Sequence, residues 1–328
     1  MSTMSLALEK FSSTIVDSFL YLKPMFDLES VDQNTQSNLS FTYSHKFGFE
    51  KLFESRDFVQ SLGQWMQENW TTSIYISLTY IIFIFSVQYY MKNRPRYELR
   101  LPLILWNIFL ATFSIMGTIR TWPEFIYNIS QKGIVHSVCD ISYAYGVTGF
   151  WAFMFIMSKL PELIDTVFIV FRKQELIFLH WYHHATVLIY CWYSYSDFSA
   201  SGRWFMTMNY LVHSIMYSYY ACKALKIRVP LFISKLITTS QIVQMIFGCY
   251  VNWVAYQTKK YSPQTKCNIT NENILSSFVM YLSYFVLFFH FFFNAYVLKK
   301  KARNLQKKEA NGNVTNGHVK NGLGKKLD

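Results

Sequence analysis

The sequence predicts an all-α polytopic membrane protein of about seven transmembrane helices, and three observations predict it. The chain is 52% hydrophobic and 19% aromatic but only 15% charged, where a soluble domain carries about 25% charged residues. Seven apolar windows follow one another, each of roughly 20 residues and so long enough to cross a bilayer. Within those windows the polar residues recur three and four apart, the spacing of one helical face.

The elements follow in order. Residues 1–70 are mixed and polar and read as an extramembrane arm with one or two amphipathic turns near Phe58–Trp65. No signal peptide is expected there, because Glu9, Lys10 and Asp17 interrupt any apolar core. Asn38-Leu39-Ser40 and Asn69-Trp70-Thr71 are candidate glycosylation sites if the arm is lumenal. The membrane domain is placed at 71–299, with windows at 72–91, 101–119, 148–171, 176–195, 203–222, 231–256 and 274–298. The stretch 120–146 reads as a mixed connector, with a further sequon at Asn128. The tail, 300–328, is rich in Asn, Gly and Lys and has the composition of a disordered cytosolic segment.

A net charge of +12 raises the question of nucleic acid. The Lys and Arg residues instead cluster between windows and in the tail, where they determine topology. No nucleic-acid partner is expected; a membrane surface and a polyanionic substrate are. The loops after windows one, three and five are the more basic set, which puts them and the C-terminus in the cytosol and the N-terminus in the lumen. That topology brings Cys139 and Cys267 together on the oxidising side, where a disulfide between them is expected. Cys191, Cys222 and Cys249 lie in windows and read as packing residues.

The candidate site is built from four stripes. His180, His183 and His184 fall at i, i+3 and i+4 in window four, on one helical face. Ionisable groups inside a membrane are expensive and mark function. Window three offers Lys159, Glu162, Asp165 and Thr166 as one stripe; Lys159 and Glu162 suit an ion pair, and Asp165 suits the partner that orients an imidazole N–H. Window five offers Asn209, His213, Met216, Tyr217 and Tyr220, and window six Thr238, Gln241 and Gln244. On the predicted topology the stripes converge in the cytosolic half of the membrane.

Clustered intramembrane histidines suit two chemistries. One is a metal site, as in di-iron desaturases and hydroxylases, but those need several histidine boxes. Of the eight histidines here, His45, His136 and His318 lie outside the windows. Three or four imidazoles still suffice for one ion such as zinc. The other chemistry uses a neutral imidazole as nucleophile on a thioester, giving an acyl-imidazole, with a second histidine managing protons.

The K-x-P-E-x-x-D-T stripe, the HWYHH box, the N-x-x-x-H-x-x-M-Y-x-Y-Y segment and the T-x-x-Q-x-x-Q segment stand in this order over residues 65–300. Together they resemble the ELO-type elongases of very long chain fatty acids. Trp181 in the box, with Trp192-Tyr-Ser-Tyr195 after it, resembles the branch acting on saturated and monounsaturated chains. The resemblance implies a seven-helix enzyme of the endoplasmic reticulum membrane, with six helices around an acyl tunnel. It further implies a 3-oxoacyl-CoA synthase that condenses long-chain acyl-CoA with malonyl-CoA and needs no cofactor or metal. His183 is then the acyl nucleophile and His213 the group that assists malonyl decarboxylation, with His180, His184, Asp165 and Asn209 orienting them. Lys159, Glu162, Thr166, Tyr217, Tyr220, Gln241 and Gln244 would bind substrate near the thioester. Arg172 and Lys173 at the mouth are candidate contacts for CoA phosphates, and Lys325 and Lys326 resemble a dilysine retrieval signal. Implied partners are the 3-oxoacyl-CoA reductase, dehydratase and enoyl reductase of the elongation cycle, membrane lipid, and a second copy of the chain. The competing readings are a metal-dependent desaturase or hydroxylase, and a seven-helix transporter or receptor.

Overall fold

A computed structural model describes residues 41–298. Asn38, Lys325, Lys326, the first part of the arm and the tail lie outside the described residues. Within them every regular element is helical, and the protein is an all-α polytopic membrane protein. The elements are α1 (Arg56–Asn69), α2 (Thr72–Met91), α3 (Arg100–Tyr127), α4 (Gly133–Cys139), α5 (Gly146–Ser158), α6 (Ile164–Phe171), α7 (Phe178–Ser196), α8 (Gly202–Ala224), α9 (Leu231–Tyr261) and α10 (Asn271–Phe292). Among the described residues, four helical stretches are long and apolar enough to cross a membrane: Thr72–Met91, Arg100–Cys139, Leu231–Tyr261 and Asn271–Leu298. The polar stripes lie on α6 to α9 and on the turn before α6.

The second window continues well past residue 119, so the expected connector is largely helix: α3 runs to Tyr127, and a π-helical turn at Asn128–Lys132 joins it to α4. The third window is broken. Pro161 has no N–H to give a continuing helix, and α5 ends at Ser158, a 3₁₀ turn takes Pro161–Leu163, and α6 resumes at Ile164. The polar residues of that window therefore do not form one stripe; the break aims them at different neighbours.

Small residues set the closest helix contacts. An added Cβ at Gly117 on α3 would lie 2.3 Å from the ring of Tyr210 on α8. Gly248 on α9 stands equally close to Tyr281 on α10. These pairs fix α3 against α8 and α9 against α10, while α2 lies along α7.

The described part of the arm packs on this bundle. Ser55 caps α1 by accepting from the Phe58 N–H, and the apolar face of α1 buries Val59 and Met66. A single turn before it, Gly48–Lys51, delivers Glu50 into the bundle, where it is fully buried. Arg120 on α3 grips both its oxygens, at 2.9 and 2.6 Å, and Trp151 on α5 donates to it at 2.9 Å.

At the C-terminal end of α7 a second polar knot closes the bundle. Arg203, wholly buried, donates to Glu124, to the Ser137 carbonyl, to Asp140 and to Ser142. Beside it Cys139 and Cys267 are joined by a disulfide that spans 128 residues of sequence. Asn128 donates to Glu124 and is buried, so that sequon is shut inside the fold. Asn69 ends α1, with its side-chain amide on the Trp65 carbonyl.

Candidate active site

The site lies near the N-terminal end of α7, the end remote from the disulfide. A helix rises 1.5 Å per residue, so His180, His183 and His184 occupy the first two turns of α7. The rings of His180 and His184 are 4.5 Å apart, centroid to centroid, and those of His183 and His184 are 5.4 Å apart and nearly perpendicular. The three imidazoles thus form one patch, as their spacing requires.

The patch opens on a cavity of about 320 Å³. Its wall takes the three histidines from α7, Asn209, His213, Tyr217 and Tyr220 from α8, Gln241 and Gln244 from α9, and Asp165 from α6. Phe288 and Phe291 of α10, and Tyr296 in the π-helical turn Phe293–Leu298 that follows it, line the opposite side. Further along the α7–α8 seam, a second space of about 40 Å³ lies between Phe155, Cys191, Tyr195 and Phe205.

Behind the wall stands a buried ion pair. Lys159 Nζ is 2.7 Å from Glu162 Oε1 and 3.2 Å from Asn209 Oδ1, and lies over the Phe155 ring at 4.2 Å. Glu162 Oε1 is also 3.9 Å from His213 Nδ1. The other oxygen, Oε2, is buried with no hydrogen-bond partner among the described residues. In the low dielectric of the interior this pair couples strongly to whatever charge His213 carries.

Asp165 stands elsewhere than its expected role requires. Its oxygens accept from Trp106 Nε1 at 2.6 Å and from the Tyr217 hydroxyl at 2.7 Å, so it orients no imidazole; the carboxylate that faces one is Glu162, toward His213. Thr166 points instead to α2 and α7, between Tyr80 at 2.6 Å and His180 Nε2 at 3.0 Å. The 3₁₀ turn at Pro161–Leu163 stands between the two groups of residues, and its tighter winding breaks the α-helical spacing that would set them on one face.

Arg172 and Lys173 do not join the cavity wall. Lys173 has a left-handed backbone, with φ 53°, and its ammonium donates to the Lys92 and Arg94 carbonyls. It ties two loops together. Gln241 donates to Met216 Sδ at 3.3 Å, which fixes one amide of the wall.

Sequence reasoning missed four contributors. Trp106 holds Asp165, and Tyr80 completes the bond to Thr166. Tyr284 lies 4.9 Å from the His183 ring and is bonded to Thr186 one turn later. Tyr296 lines the wall from the last turn. Tyr80 left one legible trace: Ser73, Ser77, Tyr80 and Ile84 form a single helical face, and all four are buried. Among the described residues no three His, Cys, Asp or Glu side chains converge in a way that would hold a metal ion.

Comparison with known proteins matches residues 65–304 to the model of the ELO, GNS1/SUR4, family. The chain belongs to the ELO family. A very long chain fatty acid elongase 6 of Drosophila melanogaster is 51% identical over 80% of this chain and 83% of its own length. Proteins of the same name from Gallus gallus and Homo sapiens are 50% and 49% identical, over 82% and 80% of this chain and 99% and 97% of their own. All four motifs, and every residue in the wall of this ELO-family cavity, fall inside the matched region.

Proposed function

We propose that this ELO-family protein catalyses the condensation step of fatty acid elongation. A saturated or monounsaturated long-chain acyl-CoA and malonyl-CoA give a 3-oxoacyl-CoA two carbons longer, with release of CoA and carbon dioxide. The observation that carries the reading is a patch of three imidazoles, His184 buried and His180 and His183 half-buried, facing His213, Asn209 and two glutamines across one cavity. The elongase names of the relatives support the reaction class.

His183 is the nucleophile of choice. Its imidazole attacks the thioester carbonyl, the C–S bond breaks, and the CoA thiolate leaves and takes a proton. The acyl-imidazole splits one difficult step into two easier ones. Malonyl-CoA then loses carbon dioxide, and its C–C bond electrons become an enolate. The enolate carbon attacks the acyl carbonyl and expels the imidazole. His213, beside the Lys159–Glu162 pair, assists at the enolate. The reaction so written needs no cofactor beyond the two CoA esters, and makes the enzyme an acyltransferase.

The acyl chain lies along the α7–α8 seam toward the second space. From His183 to Tyr195 α7 rises about 18 Å, a distance suited to a long chain. The disulfide at the far end of α7 supports a lumenal placement of that end, because disulfides persist in oxidising compartments. The cavity mouth and the C-terminus then face the cytosol, and the protein sits in the endoplasmic reticulum membrane. The product is a substrate for a reductase, a dehydratase and an enoyl reductase in turn, and the enzyme self-associates. ELO membership separates the chain from di-iron desaturases and hydroxylases and from transporters or receptors.

Membranes containing the protein are incubated with labelled malonyl-CoA and a palmitoyl-type acyl-CoA. Label is expected in a 3-oxo or elongated product, and its absence from both overturns the reading.

A further inference from the structure

The geometry points to Tyr80 of α2 as a positioning residue that acts through Thr166 to fix the tautomer of His180 and turn it into a hydrogen-bond donor to the reacting carbonyl. The inference rests on the condensation reading for the identity of that carbonyl. Its structural basis is a buried relay, in which Tyr80 Oη lies 2.6 Å from Thr166 Oγ1 and Thr166 Oγ1 lies 3.0 Å from His180 Nε2. Tyr80 is 6% exposed and Thr166 is wholly buried.

Each hydroxyl in the relay has one hydrogen and can accept twice, which leaves three arrangements. In one, Tyr80 donates to Thr166 and Thr166 donates to His180 Nε2. Both hydrogens are then bonded. In the other two, His180 donates through Nε2 to Thr166: either Thr166 donates to Tyr80 and the phenolic hydrogen has no acceptor among the described residues, or Tyr80 also donates to Thr166 and the Thr166 hydrogen has none. A buried hydrogen-bonding group left unpaired costs about 1–3 kcal/mol. The first arrangement therefore prevails, and His180 carries its proton on Nδ1.

With Nε2 committed, Nδ1–H is the one donor the His180 ring has left, and His180 lines the cavity. When His183 attacks the thioester, negative charge gathers on the carbonyl oxygen, and a fixed N–H aimed there stabilises it. The proton stays on His180 throughout, so no bond of the substrate is broken by it. The relay is held in register by a neighbouring contact, because Ser77, one turn before Tyr80, donates to the Ala185 carbonyl on α7 at 3.1 Å. Helix α2 thus clamps the histidine patch at two points without touching the cavity.

The test is kinetic and spectroscopic. Full-length wild type, Tyr80→Phe, Thr166→Val, Thr166→Ser and the Tyr80→Phe/Thr166→Val double variant are compared in membranes for condensation. Tyr80→Phe is expected to lower kcat roughly ten-fold, the factor one hydrogen bond corresponds to, with KM for both CoA esters little changed. Thr166→Val falls as far, Thr166→Ser keeps the wild-type rate, and the double variant falls no further than Thr166→Val, since Tyr80 acts only through that hydroxyl. Full kcat in Tyr80→Phe, multiplying losses in the double variant, or no retention in Thr166→Ser overturns the relay. The tautomer is read independently of activity from the ¹⁵N spectrum of histidine-labelled protein in lipid nanodiscs. One imidazole is expected to leave the Nδ1–H pattern in Thr166→Val, where Nε2 loses its donor, and an unchanged spectrum there overturns the assignment. Wild-type membranes that make no 3-oxo product defeat the condensation reading instead, and the spectrum still decides the relay.

Discussion

Lys159 and Glu162 form a fully enclosed ion pair, 2.7 Å from Nζ to Oε1, and that same oxygen is 3.9 Å from His213 Nδ1. The pair joins the turn before α6 to the centre of α8. Removing one member leaves the other charge buried and alone, which costs about 3–5 kcal/mol. Lys159→Met is therefore expected to be the more damaging single change, and Lys159→Met/Glu162→Leu to recover much of the loss. Thermal unfolding in detergent measures both, and a double variant less stable than either single one contradicts the coupling.

His183→Ala is expected to abolish condensation and, with it, any acyl group trapped on the protein. His184→Ala, which removes a ring whose Nδ1 is buried without a partner among the described residues, is expected to leave a measurable fraction of the trapped acyl group. Mass spectrometry of the protein after a short incubation with acyl-CoA alone separates the two. Acylation persisting in His183→Ala moves the nucleophile elsewhere in the patch.

Asp165 is an anchor for two donors, Trp106 and Tyr217. Asp165→Asn puts an amide N–H₂ against one of them and leaves a donor unpaired, at a cost of about 1–3 kcal/mol. Trp106→Phe/Tyr217→Phe in that background removes the conflict and is expected to restore part of the melting temperature. A melting temperature unchanged in Asp165→Asn shows that the anchor carries no stability.

Glu50 gives the arm a pH dependence. Burial raises its carboxyl, but the hydrogen bonds from Arg120, the Phe47 N–H and Trp151 outweigh burial and hold it below the ordinary 4.5. A depressed carboxylate stabilises the fold fully above its unfolded value and loses that contribution as pH falls through the folded one. The stability gap between wild type and Glu50→Gln is accordingly expected to be widest near neutrality and to close below pH 4.5. A gap that stays constant under acid assigns the arm's attachment to packing alone.

Gly117→Val tests the α3–α8 contact. The Tyr210 ring stands 2.3 Å from where a Cβ would sit, and Tyr210 is itself held by its bond to the Trp151 carbonyl at 2.9 Å. Overpacking of this kind costs about 1–3 kcal/mol. A lowered melting temperature is expected, with Gly117→Val/Tyr210→Ala regaining part of it.

The all-α class was legible because apolar length governs what can cross a bilayer: four of the seven windows lie in helical stretches long and apolar enough to span, while window three is split by Pro161. The histidine patch was legible for a similar reason: i, i+3 and i+4 on one helix meet whatever surrounds them. Less was visible wherever partners lie far apart in sequence. Glu50 and Arg120 are 70 residues apart, as are Trp106 and Asp165 by 59, and no local pattern links them. Window three shows how a stripe misleads: Pro161 interrupts the α-helix, so residues three and four apart across it do not keep one face. Arg172 and Lys173 looked like anion contacts because the exit of a span is basic, whereas Lys173 serves the backbone carbonyls of the neighbouring loop.

The disulfide carries a consequence for biosynthesis. Cys267 lies in the loop between α9 and α10, 128 residues after its partner. While the ribosome makes α5 through α9, Cys139 waits as a free thiol, and the Arg203 knot beside it has no crosslink. Closure of the bundle at that end is thus postponed until α1 through α9 have been synthesised, and α10 is added to a framework already sealed or sealing behind it. A nascent chain stalled before Cys267 is an open bundle whose Cys139 thiol is unpaired with its native partner.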